Sequence, residues 1–357
     1  MSASIDLLCR AVTQEKGNDL YLREEQVPRI RIAGEVVPLG DEVVSREEME
    51  NFWKLCGGEG DDVLDRDTSY TAADGTRYRV NLHRHLGKRG AALRPIMSEI
   101  PDMEDLGLSE ELLTPWLSKS SGVILVTGAT GAGKSTTLAA CVQWISENMA
   151  RHVVTIEDPI EYLFEDQYSI ITQREVGSDT DSFAKGLRSS LRQSPDVIFL
   201  GEIRDAETAR IVLRASETGH LVLTTMHSSS VSDTLERFLG LFPQEEREPI
   251  LFILSQQLVG VVSQKLLPGT ERDLELILEH FQNEAATRNW IRDGEFDKLT
   301  DFVVRGDSAN NRAFMASLVE AARSGRVSEE DAERACGNAQ EFRRALRGIS
   351  GGTGVGR

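Results

Sequence analysis

The sequence predicts an α/β protein whose core is a parallel, doubly wound sheet, with a smaller α/β unit before it. Four short apolar segments have the length and composition of buried strands: residues 123–127, 153–156, 196–200 and 221–225. Each segment leads into polar residues or a glycine-rich loop. Because parallel strands present their carboxyl ends at one edge of a sheet, where ligands bind in open α/β folds, this repetition predicts one active edge.

A glycine-rich loop follows the first of these strands. Residues 128–135 read GATGAGKS and fit the pattern G-x-x-x-x-G-K-[ST] at every fixed position, and a predicted helix over 136–149 follows. Glycines allow backbone N–H groups to curl around an anion, and a helix N-terminus adds positive partial charge. In this motif Lys134 reaches the β- and γ-phosphates, and the Ser135 hydroxyl ligates Mg²⁺. We therefore predict a site for ATP and Mg²⁺ whose cradle is formed by Thr130, Gly131, Ala132, Gly133, Lys134, Ser135 and Thr136.

Size and composition set the broad class of the chain. Its 357 residues suggest two or three domains, and a hydrophobic content of 40% is typical of a globular protein. The N-terminus lacks the features of a signal peptide, and no transmembrane segment is expected. Four scattered cysteines without a C-x-x-C pair argue against a zinc site and suit a reducing cytoplasm. The net charge of −18 disfavours a nucleic-acid groove, so no direct nucleic-acid partner is expected.

Residues 1–95 are predicted to form the N-terminal domain. Helices are expected over 5–16 and 45–56, and Ser45 with Glu48 matches a capping box at the start of the second helix. Strands are expected at residues 19–22, 28–33, 36–39 and 77–82.

The last of these strands alternates strictly between polar and apolar residues. It places Arg77, Arg79 and Asn81 on one face and Tyr78, Val80 and Leu82 on the other. The simplest interpretation is a sheet with a solvated basic face. Arg94 lies near the end of the same domain, and no acidic motif in this stretch of sequence matches the three arginines. Residues 96–107 are predicted to be a linker.

The second domain is predicted over residues 108–268. One helix is expected between Asp205, its N-cap, and Gly219, its C-terminal stop, and another is expected over 250–262. Beyond it we expect a helical C-terminal region, 269–346, and a disordered, glycine-rich tail, 347–357. The helices of this region are expected at residues 274–281, 283–293, 311–324 and 328–346.

Hydrolysis of ATP needs a carboxylate that orients or deprotonates water, and Glu202 is the first candidate because it follows the strand 196–200. Gly201 stands where an aspartate is usual, so contact between Glu202 and the metal is expected through water, with Ser135 as the direct ligand. Glu157 and Asp158 form a second acidic cluster, and Asp158 is a further candidate ligand; the alternative is a role in a turn or helix cap.

Two histidines bracket the strand 221–225. His220 and His227 are seven residues apart, an odd spacing that makes a metal pair on one strand unsuitable. A sensor of the γ-phosphate and a packed core histidine remain as alternatives.

At this point the motifs resemble those of the secretion and pilus motor ATPases, the PilT/PilB/GspE group. The resemblance covers nearly the whole chain and is carried by the phosphate loop and four further stretches: 155–161 (TIEDPIE), 191–205 (LRQSPDVIFLGEIRD), 218–227 (TGHLVLTTMH) and 77–81 (RYRVN). It implies a RecA-like P-loop core with a parallel sheet, preceded by a smaller PAS-like α/β N-terminal domain and followed by a helical C-terminal region.

The resemblance also implies roles for individual residues. Glu202 matches the family's catalytic glutamate, Glu157 its aspartate-box acid and His227 its histidine-box residue, while Arg77, Arg79 and Arg94 become candidates for stabilising the charge of the nucleotide. The implied assembly is a homohexamer that works with the inner-membrane platform protein of a pilus or secretion machine. The implied location is the cytoplasm, at the periphery of the inner membrane.

Several alternatives within and outside the family stay open. Residues 286–293, ATRNWIRD, are similar to the motif A-I-R-N-L-I-R-E of the retraction-type members, with three departures, and the tetracysteine zinc insertion of assembly-type members is absent. The chain therefore looks most like the PilT and PilU members, and DotB and TraJ, motors of effector secretion and conjugation, also fit. Other classes are a nucleotide-binding adaptor without turnover and a RecA-type nucleic-acid motor.

Overall fold

The computed structural model describes residues 4–32, 34–58, 64–97, 99–306 and 310–348. They form two compact units. The first unit consists of Met1–Glu99, Asp158–Leu163 and Glu175–Asp181, and the second consists of Ile100–Glu157, Phe164–Arg174 and Ser182–Arg357. The two short segments of the first unit that come from later in the chain lie inside the range predicted for the second domain. Backbone pairing explains the placement of one of them, because Leu163 N donates to Met97 O at 3.0 Å.

The first unit is built on an antiparallel sheet of six strands in the order β3-β2-β1-β6-β5-β4. Its strands are β1 (Asp19–Arg23), β2 (Arg29–Ile32), β3 (Glu35–Pro38), β4 (Asp65–Thr71), β5 (Arg77–His85) and β6 (Lys88–Pro95). Its helices are α1 (Ile5–Gln14) and α2 (Arg46–Leu55), and both contribute to one core with one face of the sheet. The predicted N-terminal α/β domain is thus confirmed, and β4 and β6 are strands that the sequence analysis missed.

Strand β5 shows the predicted alternation. Tyr78, Val80 and Leu82 are fully buried in the core, whereas the arginines on the other face are half-buried. The capping prediction for α2 is also confirmed, since the Ser45 hydroxyl accepts a hydrogen bond from Glu48 N at 3.2 Å.

The second unit is built on a mixed sheet of eight strands in the order β14-β13-β12-β7-β11-β10-β8-β9. Its strands are β7 (Gly122–Thr127), β8 (His152–Glu157), β9 (Ile170–Glu175), β10 (Val197–Leu200), β11 (Leu221–Met226), β12 (Leu258–Pro268), β13 (Leu274–Gln282) and β14 (Asn311–Arg312). The predicted strands β7, β8, β10 and β11 are parallel neighbours, and β12 joins them in parallel with β7. The predicted parallel core is therefore confirmed.

Eleven α-helices accompany this sheet within the described residues. They are α3 (Glu110–Leu117), α4 (Lys134–Asn148), α5 (Phe183–Ser190), α6 (Ala206–Glu217), α7 (Val231–Gly240), α8 (Arg247–Gln257), α9 (Ala285–Arg292), α10 (Phe296–Arg305), α11 (Phe314–Arg323), α12 (Glu329–Ala335) and α13 (Ala339–Leu346). A 3₁₀ turn, Gln244–Glu246, precedes α8. The helix predicted after the strand 196–200 begins as expected, because Asp205 accepts a hydrogen bond from Thr208 N at 2.8 Å.

Two helical predictions are wrong because sheet pairing decides the segments. The sequence predicts one helix over 250–262, but α8 ends at Gln257 and β12 begins at Leu258. It predicts another over 274–281, which is strand β13, antiparallel to β12. Apolar runs of this length suit a helix and a buried strand equally, so the partner strand decides.

The far C-terminal region is helical apart from β13 and β14, which extend the sheet. The helix predicted over 311–324 begins only at Phe314, after the short strand β14. The helix predicted over 328–346 is divided into α12 and α13 at Gly337, which has a left-handed φ of +74°. The predicted tail lies outside the described residues from position 349 onward. No helix in the described ranges is long and apolar enough to cross a membrane.

Candidate active site

The phosphate loop lies between β7 and α4. Gly131 and Gly133 adopt left-handed φ angles of +78° and +81°, and Gly128 has a φ of +153°. A Cβ on Gly128 would lie 2.5 Å from the carbonyl oxygen of Gln264, so a side chain there would force the backbone apart. Helix α4 begins at Lys134, slightly before the predicted start at 136. The loop therefore needs glycine for its shape.

Lys134 is held at the loop by its own backbone. The residue is 8% exposed, and its Nζ donates to the carbonyl oxygens of Gly128 at 2.9 Å and Ala129 at 3.0 Å. These hydrogen bonds fix the ammonium group beside the glycines. Ser135 and Thr136 follow in the first turn of α4, where backbone N–H groups and the helix dipole favour an anion.

Gln264, a buried residue of β12, supports the loop from a neighbouring strand. Its Nε2 donates to Ala132 O at 2.5 Å. Sequence analysis missed this residue, which lies outside every motif and just after a segment predicted as helical. The parallel pairing of β12 with β7 is what brings it to the loop.

Glu202 and His227 meet Lys134 at the carboxyl ends of neighbouring parallel strands. Glu202 follows β10 and His227 follows β11. His227 Nε2 lies 3.2 Å from Glu202 Oε2, and His227 Nδ1 lies 3.4 Å from Lys134 Nζ. The active edge predicted from the polar strand ends therefore brings these three residues into one contact chain.

The partners of His227 select one form of its ring. An ammonium group only donates hydrogen bonds, so Nδ1 accepts from Lys134. The ring proton is then on Nε2, where it can be donated to the Glu202 carboxylate. The tautomer of His227 with its proton on Nε2 satisfies both neighbours at once.

Arg204 provides Glu202 with a second partner. Its guanidinium forms an ion pair with Glu202 Oε1, and the same guanidinium lies over the Phe183 ring at 5.6 Å from the centroid. The Glu202 side chain is 17% exposed, so its charge is partly shielded from water while both oxygens are occupied. Sequence analysis did not single out Arg204, although it lies two positions after the acid.

Glu157 ends β8 and is buried. Its Oε1 accepts from Thr155 Oγ1 at 2.6 Å and from Gln173 Nε2 at 3.4 Å. The two hydrogen bonds fix the direction of the carboxylate. Glu157 is thus an oriented acid at the same edge of the sheet as the strand ends of β10 and β11.

Gly201 ties these strand ends together. Its N–H donates to Ile156 O at 2.8 Å, and its carbonyl oxygen accepts from Thr225 Oγ1 at 2.7 Å. The residue that stands in place of the usual aspartate therefore connects the ends of β8, β10 and β11 through its backbone.

The donor chemistry of the edge fits Mg²⁺. Within the described ranges, no group of three or more His, Cys, Asp or Glu side chains could hold a metal ion. Magnesium in phosphate sites binds through one or two protein oxygens together with phosphates and water, so it needs no such group. The Ser135 hydroxyl and the Glu202 carboxylate supply oxygen donors of that kind. Asp158, the third candidate, belongs to the first compact unit, and its role stays a prediction.

The three candidate arginines lie on the open face of the first unit's sheet. Arg94 Nε donates to Asp19 Oδ1 at 2.8 Å, so Arg94 has an acidic partner although no acidic motif in the sequence matches it. The pairing joins residues that are far apart in sequence, which no local motif reveals. Arg77 donates to Ser69 Oγ at 3.2 Å, and its buried Nε has no hydrogen-bond partner among the described residues.

Arg79 and Arg94 face one another across β5 and β6. They line a cavity of about 260 Å³ together with Ile96, Pro159 and Tyr162. All five residues belong to the first unit, and the segment Asp158–Leu163 contributes two of them. The roles of the arginines toward the nucleotide stay predictions.

His220 has a structural contact rather than a place beside the acids. Its Nδ1 lies 2.9 Å from Ala215 O, near the end of α6, and 3.2 Å from Thr218 Oγ1. His220 is only half-buried, so it is held at the end of α6 and does not match a packed core histidine; a role toward the γ-phosphate stays a prediction.

Comparison with known sequences supports a common family. The model of the family described as "Type II/IV secretion system protein" matches residues 86–295 of the chain. The type IV pilus ATPase PilU of Pseudomonas aeruginosa is 33% identical over 345 residues, which cover 94% of this chain and 89% of PilU.

Two solved structures have a similar fold over almost the whole chain. The pilus retraction motor PilT with bound ADP superposes with a TM-score of 0.88 at 34% identity, covering 96% of this chain and 100% of the PilT chain. The ATPase DotB of Legionella pneumophila superposes with a TM-score of 0.82 at 25% identity, covering 94% of this chain and 95% of the DotB chain.

Proposed function

Because the chain belongs to the family of type II/IV secretion system proteins, we propose that this secretion or pilus motor ATPase works as a homohexamer that drives pilus retraction or substrate translocation. The observation that carries the proposal is the contact chain from Lys134 through His227 to Glu202. It joins the phosphate loop to the candidate base at the edge where a parallel sheet binds its ligands.

The side chains of this edge have separate roles in hydrolysis. Lys134 exchanges its loop carbonyls for phosphate oxygens when ATP binds and places its charge where negative charge develops. Glu202 accepts a proton from, or orients, the attacking water, while His227 and Arg204 hold its two oxygens in direction. The Ser135 hydroxyl would hold Mg²⁺ and Glu202 would contact it through water, and the ion would supply positive charge against the phosphates.

Glu157 and the arginines complete the proposed site. Glu157, already oriented by Thr155, is the second acid at the edge and the alternative candidate for the base. Arg77, Arg79 and Arg94 are proposed to bring positive charge to the γ-phosphate when the N-terminal domain closes on the nucleotide. Closure and hydrolysis would then be one event, which is how a chemical step can drive a stroke.

Two kinds of machine are candidates for the one that this motor drives. Similarity to PilU and PilT favours retraction of a type IV pilus, and similarity to DotB favours an effector secretion or conjugation apparatus. In both cases the proposed partner is an inner-membrane platform protein, reached from the cytoplasm. The genes beside this one distinguish the two, because pilin genes and conjugation genes accompany different machines.

The proposed assembly is tested by measuring the oligomeric state of the purified protein. With a non-hydrolysable Mg-ATP analogue, we expect the purified protein to sediment as a closed ring of about six subunits. Turnover per subunit should rise with protein concentration, because a site completed by a neighbour is lost on dilution. Full turnover by a monomer at high dilution would overturn the proposed assembly.

A further inference from the structure

A chain of four buried hydroxyls runs through the second unit. Ser263 Oγ lies 2.7 Å from Thr127 Oγ1, Thr127 Oγ1 lies 3.2 Å from Thr234 Oγ1, and Thr234 Oγ1 lies 2.7 Å from Ser228 Oγ. The four residues come from β12, β7, α7 and the segment after β11. None of them belongs to the phosphate-binding pattern or was singled out from the sequence.

Two members of the hydroxyl chain are sequence neighbours of residues at the active edge. Thr127 is the last residue of β7 and directly precedes Gly128, the first residue of the phosphate loop. Ser228 directly follows His227. The hydroxyl chain therefore links the start of the loop that holds Lys134 with the segment that holds His227, by a route separate from the direct contact between these two side chains.

Because these hydroxyls are buried, each depends on its neighbours for hydrogen-bond partners. Thr127 and Thr234 are completely buried, and Ser228 and Ser263 nearly so. Each hydroxyl has one proton and must satisfy its neighbours without water, so the orientation of each depends on the next. Thr234 is the central member because its Oγ1 contacts two other hydroxyls, and its single proton has two acceptors within reach, Thr127 Oγ1 at 3.2 Å and Ser230 O at 2.6 Å.

Glu279 of β13 fixes the helix to which Thr234 belongs. Its Oε1 accepts from Val231 N at 2.7 Å, at the first residue of α7, and its Oε2 accepts from Phe314 N at 3.3 Å. Ser230 caps the same helix by accepting from Asp233 N. Contacts other than the hydroxyl chain therefore hold α7 in position. A change at the hydroxyls is expected to act on the short segment between His227 and this helix.

We propose that this hydroxyl chain positions His227 against Lys134 and Glu202 for the hydrolytic step, with Thr234 as its central positioning residue. The inference rests on the proposed function, in which His227 directs the Glu202 carboxylate. Its physical basis is that a displacement of about 1 Å in a group of the active site can cost about 10²-fold in rate, whereas nucleotide binding through the loop backbone depends little on it.

The test removes the central hydroxyl and keeps the shape of the side chain. Thr234→Val is expected to lower kcat for ATP about tenfold or more while KM changes less than about twofold, because only the catalytic geometry is affected. Thr234→Ser, which restores the hydroxyl, is expected to recover kcat to within about twofold of the wild type. Ser228→Ala removes the terminal hydroxyl and should lower kcat in the same manner if Thr234→Val does not fold.

Thr224 offers a matched control. It is a fully buried threonine of β11 whose Oγ1 has no hydrogen-bond partner among the described residues. Thr224→Val removes a hydroxyl from the same sheet and is expected to leave kcat unchanged. A purely structural role for Thr234 would lower the melting temperature but leave kcat intact well below it.

Three results would overturn the inference: kcat of Thr234→Val within twofold of the wild type, an equal loss in Thr224→Val, or no recovery in Thr234→Ser. Hydrolysis by the wild type and its loss in Lys134→Ala are measured on the same preparations. An inactive wild type would contradict the proposed function, whereas an active wild type with an equally active Thr234→Val contradicts only the role of the hydroxyl chain.

Discussion

In the six-stranded sheet, β5 alternates buried and half-buried residues, whereas every residue of β7 in the eight-stranded sheet is buried. An antiparallel sheet covered on one side leaves a face on which polar side chains can stand. A parallel sheet covered on both sides leaves only the ends of its strands. The candidate arginines accordingly lie along a face, and Glu157, Glu202 and His227 lie at strand ends.

The two placements give the charged groups different environments. The Arg94 side chain is 66% exposed even though it is paired with Asp19, and an exposed pair of this kind contributes at most about 1 kcal/mol to stability. Glu202 is largely shielded from water and touches two cationic or hydrogen-bonding partners. Groups at the strand ends are therefore expected to dominate the chemistry. The arginines on the sheet face are expected to contribute only when a bound nucleotide brings negative charge to them.

The largest expected effect comes from the strand-end edge. Lys134→Ala and Glu202→Gln should both reduce ATP hydrolysis to background. They should differ in binding, because the alanine removes a phosphate contact, whereas the glutamine keeps the shape of the side chain and loses only the charge that positions water. Steady-state hydrolysis and equilibrium binding of a fluorescent ATP analogue measure the two properties.

Glu207→Gln is the control for this pair, since Glu207 is a surface acid of α6 paired with Arg188. It should hydrolyse ATP like the wild type. Near-normal turnover in Glu202→Gln would show that the acid is assigned wrongly, and Glu157, the other oriented carboxylate, would become the candidate base.

The second expected effect concerns the sheet face. Arg77→Ala, Arg79→Ala and Arg94→Ala should yield at least one variant that folds and binds ATP but loses turnover by roughly 10³-fold, the scale of an arginine that stabilises a transferring phosphoryl group. Arg29→Ala is the control, because Arg29 is an exposed arginine of β2 in the same sheet. Single-turnover kinetics separate the chemical step from nucleotide binding.

Unchanged turnover in all three variants would leave these arginines as surface charge. The contrast between an active edge and a supporting face would then reduce to the strand-end residues alone, and the coupling between domain closure and hydrolysis would lose its support.

The smallest expected effect is on thiol reactivity, which reports on each sheet separately. Burial raises the pKa of Cys9 and Cys56 in the first unit, and of Cys141 in the second, to about 12. A raised pKa keeps a thiol protonated and unreactive at pH 8, and reactivity returns only as the pH approaches that value or the unit opens. The half-buried Cys336 should therefore be alkylated first in the native protein.

Increasing urea should then expose Cys9 and Cys56 before Cys141, because the smaller unit has the smaller core to stabilise it. Mass spectrometry of alkylated peptides, with Cys336→Ser to remove the fast site, measures the order. Labelling of Cys141 first, or of all three thiols in one transition, would show that the two sheets do not differ in stability in this way.

Sequence alone was sufficient wherever the signal is local. The strands that became β7, β8, β10 and β11, the phosphate loop and the caps at Ser45 and Asp205 were all predicted, because short-range periodicity and capping depend on neighbouring residues. The alternation of β5 was predicted for the same reason.

Only the tertiary structure decided the rest. Strand β13 and the first five residues of β12 are predicted as helical from the sequence, because an apolar run takes its form from the strand beside it. The pairing of Arg94 with Asp19, the support of the loop by Gln264 and the hydroxyl chain through Thr234 join residues from distant parts of the sequence. The sequence by itself determined which chemical groups the active edge carries, whereas the folded sheet decided which of them touch, since distances between strand ends depend on strand order and register.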